Sequence, residues 1–410
     1  NQFLYTLRCV WSILRAGDKA RLQVIIADDG STDETEAFFS AIKGITYIRN
    51  PRNMGFLQSC NHAAERAKAT YLYFLNNDTA VQPGWIDSLL DVARETPDAG
   101  IVGSKLVYPD GTLQEAGGFV WADGGGANLG RNSDPAEPGF NLRRDADYIS
   151  GAAIMVPASV WRDVGGFDER YCPAYCEDTD LAMRLRNLGW RVIYQPASVI
   201  VHFEGVSSGT STDSGIKAYQ VINFEKLRDR WAFALERHQT SQSIQPRAIP
   251  RAPRPRILMI DHRIPEPDKD AGSVVAWWHI RLYLALGYEV TFLPVNLLLG
   301  AGYGRALQAI GAEVLHEPYV LDINAYIDEH AAGFDAFYVC RYGEGGRFIE
   351  RLRQRAPEVP LIFNTADLHF LRAERQARQR GAGPELASLA ADVKARELAA
   401  IARATDTMLV

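Results

Sequence analysis

Tyr71-Leu72-Tyr73-Phe74-Leu75-Asn76-Asn77-Asp78 is the stretch on which the fold turns. Five apolar or aromatic residues in unbroken succession read as a buried strand, and the run stops at two amides and a carboxylate. In open α/β sheets, ligands bind beyond the carboxyl ends of such strands. Asn76, Asn77 and Asp78 are therefore expected at that edge, with Asp78 able to offer oxygen to a hard cation. Asn and Asp are also ordinary turn formers, and from this run alone a strand followed by a polar turn is the simpler reading.

Working outward, strand and helix signals alternate. Leu4, Leu7, Trp11 and Leu14 have helical spacing over Leu4 to Arg15. Leu22 to Ala27 is a β-rich run ending in Asp28-Asp29-Gly30-Ser31. Ser31-Thr32-Asp33-Glu34 predicts an N-cap with a capping-box acid and a helix to about Ile42. Downstream, helices are expected over Pro83 to Glu95, from Glu177 through Leu188, and over Ile216 to Glu236. Strands are expected over Gly100 to Val107, Ala152 to Val156 and Val199 to Val201, the last ending at His202. Gln114 to Asp145 reads as a long loop, dense in Gly, Asn, Asp and Pro, of the kind that is usually functional or mobile. The alternation predicts an α/β domain with a mainly parallel mixed sheet flanked by helices.

The totals set bounds. With 410 residues the chain exceeds one ordinary core, so at least two domains are expected. A break is visible over 238–254, where Gln, Ser, Pro and Arg dominate; beyond it a second α/β pattern runs over 255–410, after a first domain over 1–237. A net charge of -6 gives no reason to expect nucleic acid as a partner. The five cysteines are an odd, scattered set, which points to a reducing compartment rather than a disulfide framework. No apolar run is long enough to span a membrane. The chain opens at Asn1 without a methionine and closes on the apolar run Thr407 to Val410, so a piece of a longer protein is expected.

Four acidic or imidazole stretches fall where elements of the first domain end: Asp28-Asp29, Asp78, Glu177-Asp178 and His202. Oxygen and imidazole ligands meeting at one sheet edge suit a divalent metal, and a metal suits a diphosphate leaving group. A carboxylate across the site suits a general base. Each residue also has a plainer reading: His202 as a hydrogen-bonded core histidine, and Glu177 and Asp178 as first-turn acids favoured by the helix dipole.

In order and spacing these pieces resemble the inverting family-2-type glycosyltransferases of GT-A fold. The resemblance rests on Asp28-Asp29-Gly30-Ser31-Thr32-Asp33, Asn53-Met54-Gly55-Phe56, Leu75-Asn76-Asn77-Asp78-Thr79, Gly165-Gly166-Phe167-Asp168-Glu169, Glu177-Asp178-Thr179-Asp180 and Val201-His202-Phe203-Glu204-Gly205. Tyr108-Pro109-Asp110-Gly111-Thr112-Leu113-Gln114-Glu115-Ala116-Gly117-Gly118 resembles the rhamnosyltransferase and O-antigen branch. The resemblance implies that Asp28 and Asp29 bind the nucleotide, helped by Arg52, Asn53 and Gly55, and that Asn76, Asn77 and Gly151 line the donor sugar's place. It implies that Asp78 and His202 ligate Mn²⁺ or Mg²⁺, that Asp178 is the base and that Glu177 orients the acceptor. The family's metal motif is a DxD type; here it is Asn-Asn-Asp, with one carboxylate where two are usual. The implied partners are a nucleotide-diphosphate sugar donor and a glycan or lipid-linked glycan acceptor. The implied place is the bacterial cytoplasm, at the inner face of the membrane. The other functions weighed are a sugar-phosphate nucleotidyltransferase and a non-catalytic sugar-nucleotide or glycan-binding module.

Residues 255–410 resemble the N-terminal Rossmann-like half of a family-4-type GT-B glycosyltransferase, through Ile257-Leu258-Met259-Ile260-Asp261, Asp270-Ala271-Gly272-Ser273 and Thr365-Ala366-Asp367-Leu368-His369. No acidic constellation like that of the first domain accompanies them, so this part is expected to fold but to transfer nothing by itself.

Overall fold

The structure, a computed structural model, describes residues 1–205, 218–241, 254–300, 302–379 and 384–409. The chain divides into two compact units, Asn1–Ala136 with Arg143–Pro250, and Glu137–Leu142 with Arg251–Val410. Most of the stretch expected as a linker, 242–253, lies outside the described residues.

The first unit opens with α1 (Phe3–Ala16), β1 (Val24–Asp28), α2 (Thr35–Phe39), β2 (Ile45–Arg49) and α3 (Phe56–Ala64). It continues with β3 (Tyr71–Leu75), β4 (Thr79–Val81), α4 (Trp85–Glu95) and β5 (Ala99–Val107). Where a loop was expected, short strands form: β6 (Leu113–Glu115), β7 (Gly118–Val120), β8 (Gly126–Asn128) and β9 (Arg144–Asp145). Then come β10 (Ala153–Pro157), α5 (Ala158–Val164), α6 (Glu177–Asn187), β11 (Arg191–His202) and α7 (Tyr219–Leu235).

Among the described residues the main sheet is ordered β3-β10-β5-β11-β4, with β6 on β5 and β9 on β11, while β1 and β2 form a parallel pair of their own. The expectation of a mainly parallel sheet is corrected. Five of the six pairings in the main sheet are antiparallel, and only β5 with β11 is parallel. The cause is β10, which enters between β3 and β5 running against both. As a result β3, β5 and β11 still point the same way, and β3 and β11 deliver their carboxyl ends to one edge. The fold remains mixed α/β. β5 is buried over nearly its whole length, which is why Ala99 to Val107 reads as an apolar run.

Two local expectations also shift. α1 is a helix, but Leu4, Trp11 and Leu14 are 73%, 58% and 71% exposed. The buried side is Thr6, Cys9 and Val10, with Ile13 packed on the core under β4. The helix expected from Ser31 begins at Thr35 instead, because the Ser31 N–H turns back to Asp28 Oδ1 at 2.8 Å while Asp33 accepts from the Thr35 backbone at 3.2 Å.

The second unit alternates strand and helix: β12 (Arg256–Asp261), α8 (Ala271–Ala285), β13 (Glu289–Pro294), α9 (Tyr303–Ile310), β14 (Glu313–Val314), α10 (Ile323–His330) and β15 (Ala336–Cys340). It ends with α11 (Ile349–Arg355), β16 (Leu361–Asn364), α12 (His369–Gln379), α13 (Pro384–Arg403) and β17 (Asp406–Met408). The sheet order is β14-β13-β12-β15-β16-β17, with every pairing parallel. Alternate residues of one strand enter opposite cores: Leu258 and Ile260 pack on one face, Ile257 and Met259 on the other. A strand covered on both sides needs an unbroken apolar sequence, and each such side chain contributes about 1.5–3 kcal/mol by leaving water.

Candidate active site

The site is built at the edge where β3 and β11 end. β4 runs back from that edge paired with β11, in a register that sets Thr79 opposite His202. Asp78, just before β4, is thereby carried beside His202, and the Phe203 N–H donates to the Asp78 carbonyl at 2.9 Å. The side chains meet: His202 Nε2 lies 3.3 Å from Asp78 Oδ1, with Asp78 4% and His202 7% exposed. The contact comes from the β4 return, not from neighbouring strand ends as the sequence suggested.

Asp178 sits in the first turn of α6. Its Oδ2 accepts the Gly151 N–H at 2.8 Å and its Oδ1 the Thr179 N–H at 2.7 Å. Burial raises its pKa above the ordinary carboxylate value, opposed by these hydrogen bonds. Next to Gly151, the Ala152 carbonyl accepts the Asn76 N–H at 2.9 Å. Asp178 and the Asp78–His202 pair are thus joined through two short backbone links. Asn77 is tied to α1, donating from Nδ2 to Thr6 Oγ1 at 3.0 Å.

Glu177 is buried, and its Oε2 has no hydrogen-bond partner among the described residues. Burial, and then the charge of Asp178, raise its pKa well above the carboxylate range. Glu115, on β6, is fully buried; its Oε1 accepts the Ser150 N–H at 3.0 Å and its Oε2 also lacks a partner among the described residues. Burial, reinforced by the Asp178 charge, pushes Glu115 up to about 8. Consecutive amides, Ser150 and Gly151, are therefore gripped by two carboxyl groups.

Asp28 and Asp29 do different work from each other. Asp28 is buried and accepts from Ser31 N–H, from Arg49 Nη1 at 2.8 Å and from the Tyr47 hydroxyl. Burial pushes its pKa up, but the hydrogen bonds from Ser31 and Tyr47 and the Arg49 charge outweigh this and hold it below the usual value. Asp29 grips the loop after β2, accepting from Met54 N–H at 2.7 Å, Gly55 N–H at 2.8 Å and Asn50 Nδ2 at 2.9 Å. The Asn53 side chain also accepts from the Gly55 N–H, at 3.2 Å, and Arg52 is exposed beside it. Gly55 has φ +86°, and a Cβ there would stand 2.7 Å from Pro173 Cβ and 2.8 Å from Pro173 O. Only glycine fits, because this loop lies against the segment that leads into α6. At Gly151 an added Cβ would meet Asp178 at an ordinary 3.5 Å, so packing alone does not demand glycine there.

Three residues were not singled out from sequence as part of the site. Gln114 bridges His202 and Glu204, and Glu115 holds Ser150. Asn223, buried on α7, donates from Nδ2 to the carbonyls of Tyr171, Ala174 and Tyr175 at 2.7, 2.9 and 3.2 Å. That bracing holds Tyr175 and Cys176 at φ +76° and +68°, immediately before Glu177 and Asp178. A buried Asn between Ile222 and Phe224 was the available signal. Asp180 is structural, bound by Arg184 at 2.7 Å and Trp231 Nε1 at 3.0 Å.

Among the described residues no cluster of three or more His, Cys, Asp or Glu side chains could by itself hold a metal. Asp78 and His202 still fit Mn²⁺ or Mg²⁺. Two ligands adjacent in an octahedral shell stand about 3 Å apart, and such ions take one or two protein groups with water and substrate phosphates completing the shell. All five cysteines are free thiols. No helix among the described residues is long and apolar enough to cross a membrane.

Comparison with known proteins adds a family. Residues 1–141 match the model of glycosyl transferase family 2. An N-acetylglucosaminyl-diphospho-decaprenol L-rhamnosyltransferase of Mycobacterium tuberculosis is 29% identical over 238 residues, 51% of this chain and 75% of that protein. The O-antigen biosynthesis protein RfbC of Myxococcus xanthus is 35% identical over 154 residues, 36% of this chain and 12% of that much longer protein. A crystal structure of GalNAc-T7 with UDP, GalNAc and Mn²⁺ aligns at TM-score 0.47 and 14% identity, over 57% of this chain and 47% of that one.

Proposed function

We propose that the first unit transfers a sugar from a nucleotide-diphosphate donor to a hydroxyl of a glycan or lipid-linked glycan, in the synthesis of a bacterial surface polysaccharide. The family 2 match and the rhamnosyltransferase and O-antigen relatives support glycosyl transfer in polysaccharide synthesis. The observation that carries the finer reading is the meeting of Asp78 and His202, 3.3 Å apart, on the same edge as Asp178.

Asp178 takes the proton of the acceptor hydroxyl. The hydroxyl oxygen forms a bond to the anomeric carbon as the bond from that carbon to the diphosphate oxygen breaks, in one displacement with inversion. The Gly151 and Thr179 amides hold the Asp178 carboxylate still, and its raised pKa makes it a stronger base than an exposed aspartate. Asp78 and His202 would hold Mn²⁺ or Mg²⁺, which supplies neutralisation of the diphosphate charge. Glu177 orients the acceptor, and the Asp29-braced loop with Arg52, Asn53 and Gly55 receives the nucleotide. Asn76, Asn77 and Gly151 line the donor sugar's place. The enzyme works in the cytoplasm, meeting lipid-linked acceptors at the membrane surface. The second unit is a Rossmann-like half of GT-B type that does not carry this chemistry.

The test is to incubate the full chain with a panel of nucleotide-sugars and acceptor glycans and follow nucleoside diphosphate release. Release should require Mn²⁺ or Mg²⁺, stop with EDTA, and fall at least a hundredfold in Asp78→Ala. Undiminished release in EDTA would refute the metal assignment.

A further inference from the structure

The motif Tyr108 to Gly118 has no role in the chemistry above, yet it lies directly behind His202. Gln114 Oε1 is 3.1 Å from His202 Nδ1, and Gln114 Nε2 is 3.1 Å from Glu204 Oε2. That same Glu204 oxygen accepts from the Tyr108 hydroxyl at 2.7 Å and from Arg131 Nη2 at 2.8 Å. An oxygen taking three donors, one of them a guanidinium, belongs to an ionised carboxylate, which only accepts.

The consequence passes along the line. The Gln114 amide cannot turn over, because its carbonyl would then face a carboxylate oxygen. Its carbonyl is committed to His202, and a carbonyl only accepts, so the proton of the neutral imidazole sits on Nδ1. The other nitrogen, Nε2, then presents a lone pair, and Nε2 is the atom facing Asp78. Left to itself, a histidine beside an aspartate turns an N–H toward it. Here a lone pair and a carboxylate face each other across 3.3 Å in a buried place, an arrangement that a cation between them relieves.

We propose that Gln114, locked by Glu204, is a positioning residue that fixes His202 in the tautomer able to ligate a divalent cation beside Asp78. This rests on the reading of Asp78 and His202 as metal ligands, but the tautomer can be read without any metal. Tyr108 and Arg131 act one step further out, by holding Glu204 as an acceptor. Outer partners of this kind fix ring orientation and typically change metal affinity 10–100-fold.

The experiment has two readouts on the full chain. Long-range ¹H–¹⁵N correlation of the imidazoles, metal-free at mildly alkaline pH, should show His202 protonated on Nδ1 in the wild type and on Nε2 in Gln114→Leu. Titration with Mn²⁺, followed by the loss of the free-ion electron paramagnetic resonance signal, should show affinity reduced 10–100-fold in that variant. Should Gln114→Leu not fold, Glu204→Gln serves, since its amide lets Gln114 turn over and should give a mixture of tautomers. The double variant Gln114→Glu with Glu204→Gln exchanges acceptor and donor along the same line and should restore both readouts toward wild type. An Nε2–H tautomer in the wild type overturns the proposal. So does an unchanged tautomer with Mn²⁺ affinity within twofold in Gln114→Leu. A tautomer that responds as described in a protein that binds no Mn²⁺ overturns the metal assignment instead and leaves the lock standing.

Discussion

Asn223→Ala should damage turnover far more than it damages folding. Asn223 lies on α7, far along the chain from Asp178, and its side-chain nitrogen braces three carbonyls of the segment leading into α6. Two N–H bonds serve three acceptors, and the amide oxygen accepts from Lys226 Nζ at 2.8 Å; the truncation removes both sets, and since the exposed lysine turns to water the loss is mainly that of the bonds to the carbonyls, about 2–4 kcal/mol. Against this, Tyr175 and Cys176 are held in left-handed backbone at about 1–2 kcal/mol each, and a released segment relaxes out of it. The two terms offset, leaving a stability change below about 2 kcal/mol. The relaxation moves the start of α6, and with it the Asp178 carboxylate now 2.8 Å from the Gly151 amide. A displacement of about 1 Å at a reacting group can cost a hundredfold in rate. Urea denaturation followed by tryptophan fluorescence gives the first quantity, and nucleoside diphosphate release at saturating substrate the second. Asn223→Asp sharpens the test: it sets a carboxylate oxygen against three carbonyls, a repulsion that the Lys226 charge on the other oxygen offsets in part, and should be less stable than the alanine variant. Asn223→Ala with kcat within threefold of wild type would refute the bracing argument.

Three further outcomes are expected. Asp178→Asn should abolish turnover while donor affinity, read by calorimetry, stays within threefold, since only proton abstraction is removed; in the wild type kcat/KM should fall as pH drops through the raised Asp178 pKa, because the base must be deprotonated. Glu115 rises from 4.5 in an unfolded chain to about 8 in the fold, so its contribution to stability is complete below pH 4.5 and is lost as pH rises through 8; Glu115→Gln should flatten the urea midpoint between those limits, by a few kcal/mol overall. The segment 255–410, expressed alone, should transfer no sugar from any nucleotide-sugar tested, and transfer by it would show that the chemistry has been put in the wrong unit.

What sequence could and could not show follows from how locally each feature is encoded. Arg256 to Asp261 announces itself because a strand buried on both faces needs an unbroken apolar run; Val24 to Asp28 and Tyr71 to Leu75 are equally apolar runs and form strands, although most of their side chains are only partly buried. Strand direction is not local: nothing in Ala153 to Pro157 says that it will insert antiparallel between β3 and β5. The buried face of α1 is not local either, because both faces carry apolar groups; periodicity identifies the helix, but contact with β4 chooses Thr6, Cys9 and Val10. Asp78, Asp178 and His202 were legible as polar groups placed where apolar elements stop. Gln114 and Glu115 were not, since they lie in a Gly-rich stretch with no period, and their partners are 88 and 35 residues away.

The distribution of hydrogen bonds separates acids that build the site from those that face its contents. Buried carboxylates are ordinarily satisfied, and Asp28, Asp29, Asp180 and Glu204 are each bound by two or more internal donors. Substituting any of them should disturb shape before chemistry. Among the described residues Glu115 Oε2 and Glu177 Oε2 are buried with no partner, and the charge of Asp178 is felt by both groups. Burial pushes Glu115 up to about 8, so it keeps an O–H to donate near neutral pH, and burial raises Glu177 in the same direction. A hydroxyl-rich ligand reaching them would supply the acceptors that the described residues do not. A sugar offers that chemistry, in keeping with the proposal that Asp178 meets an acceptor hydroxyl.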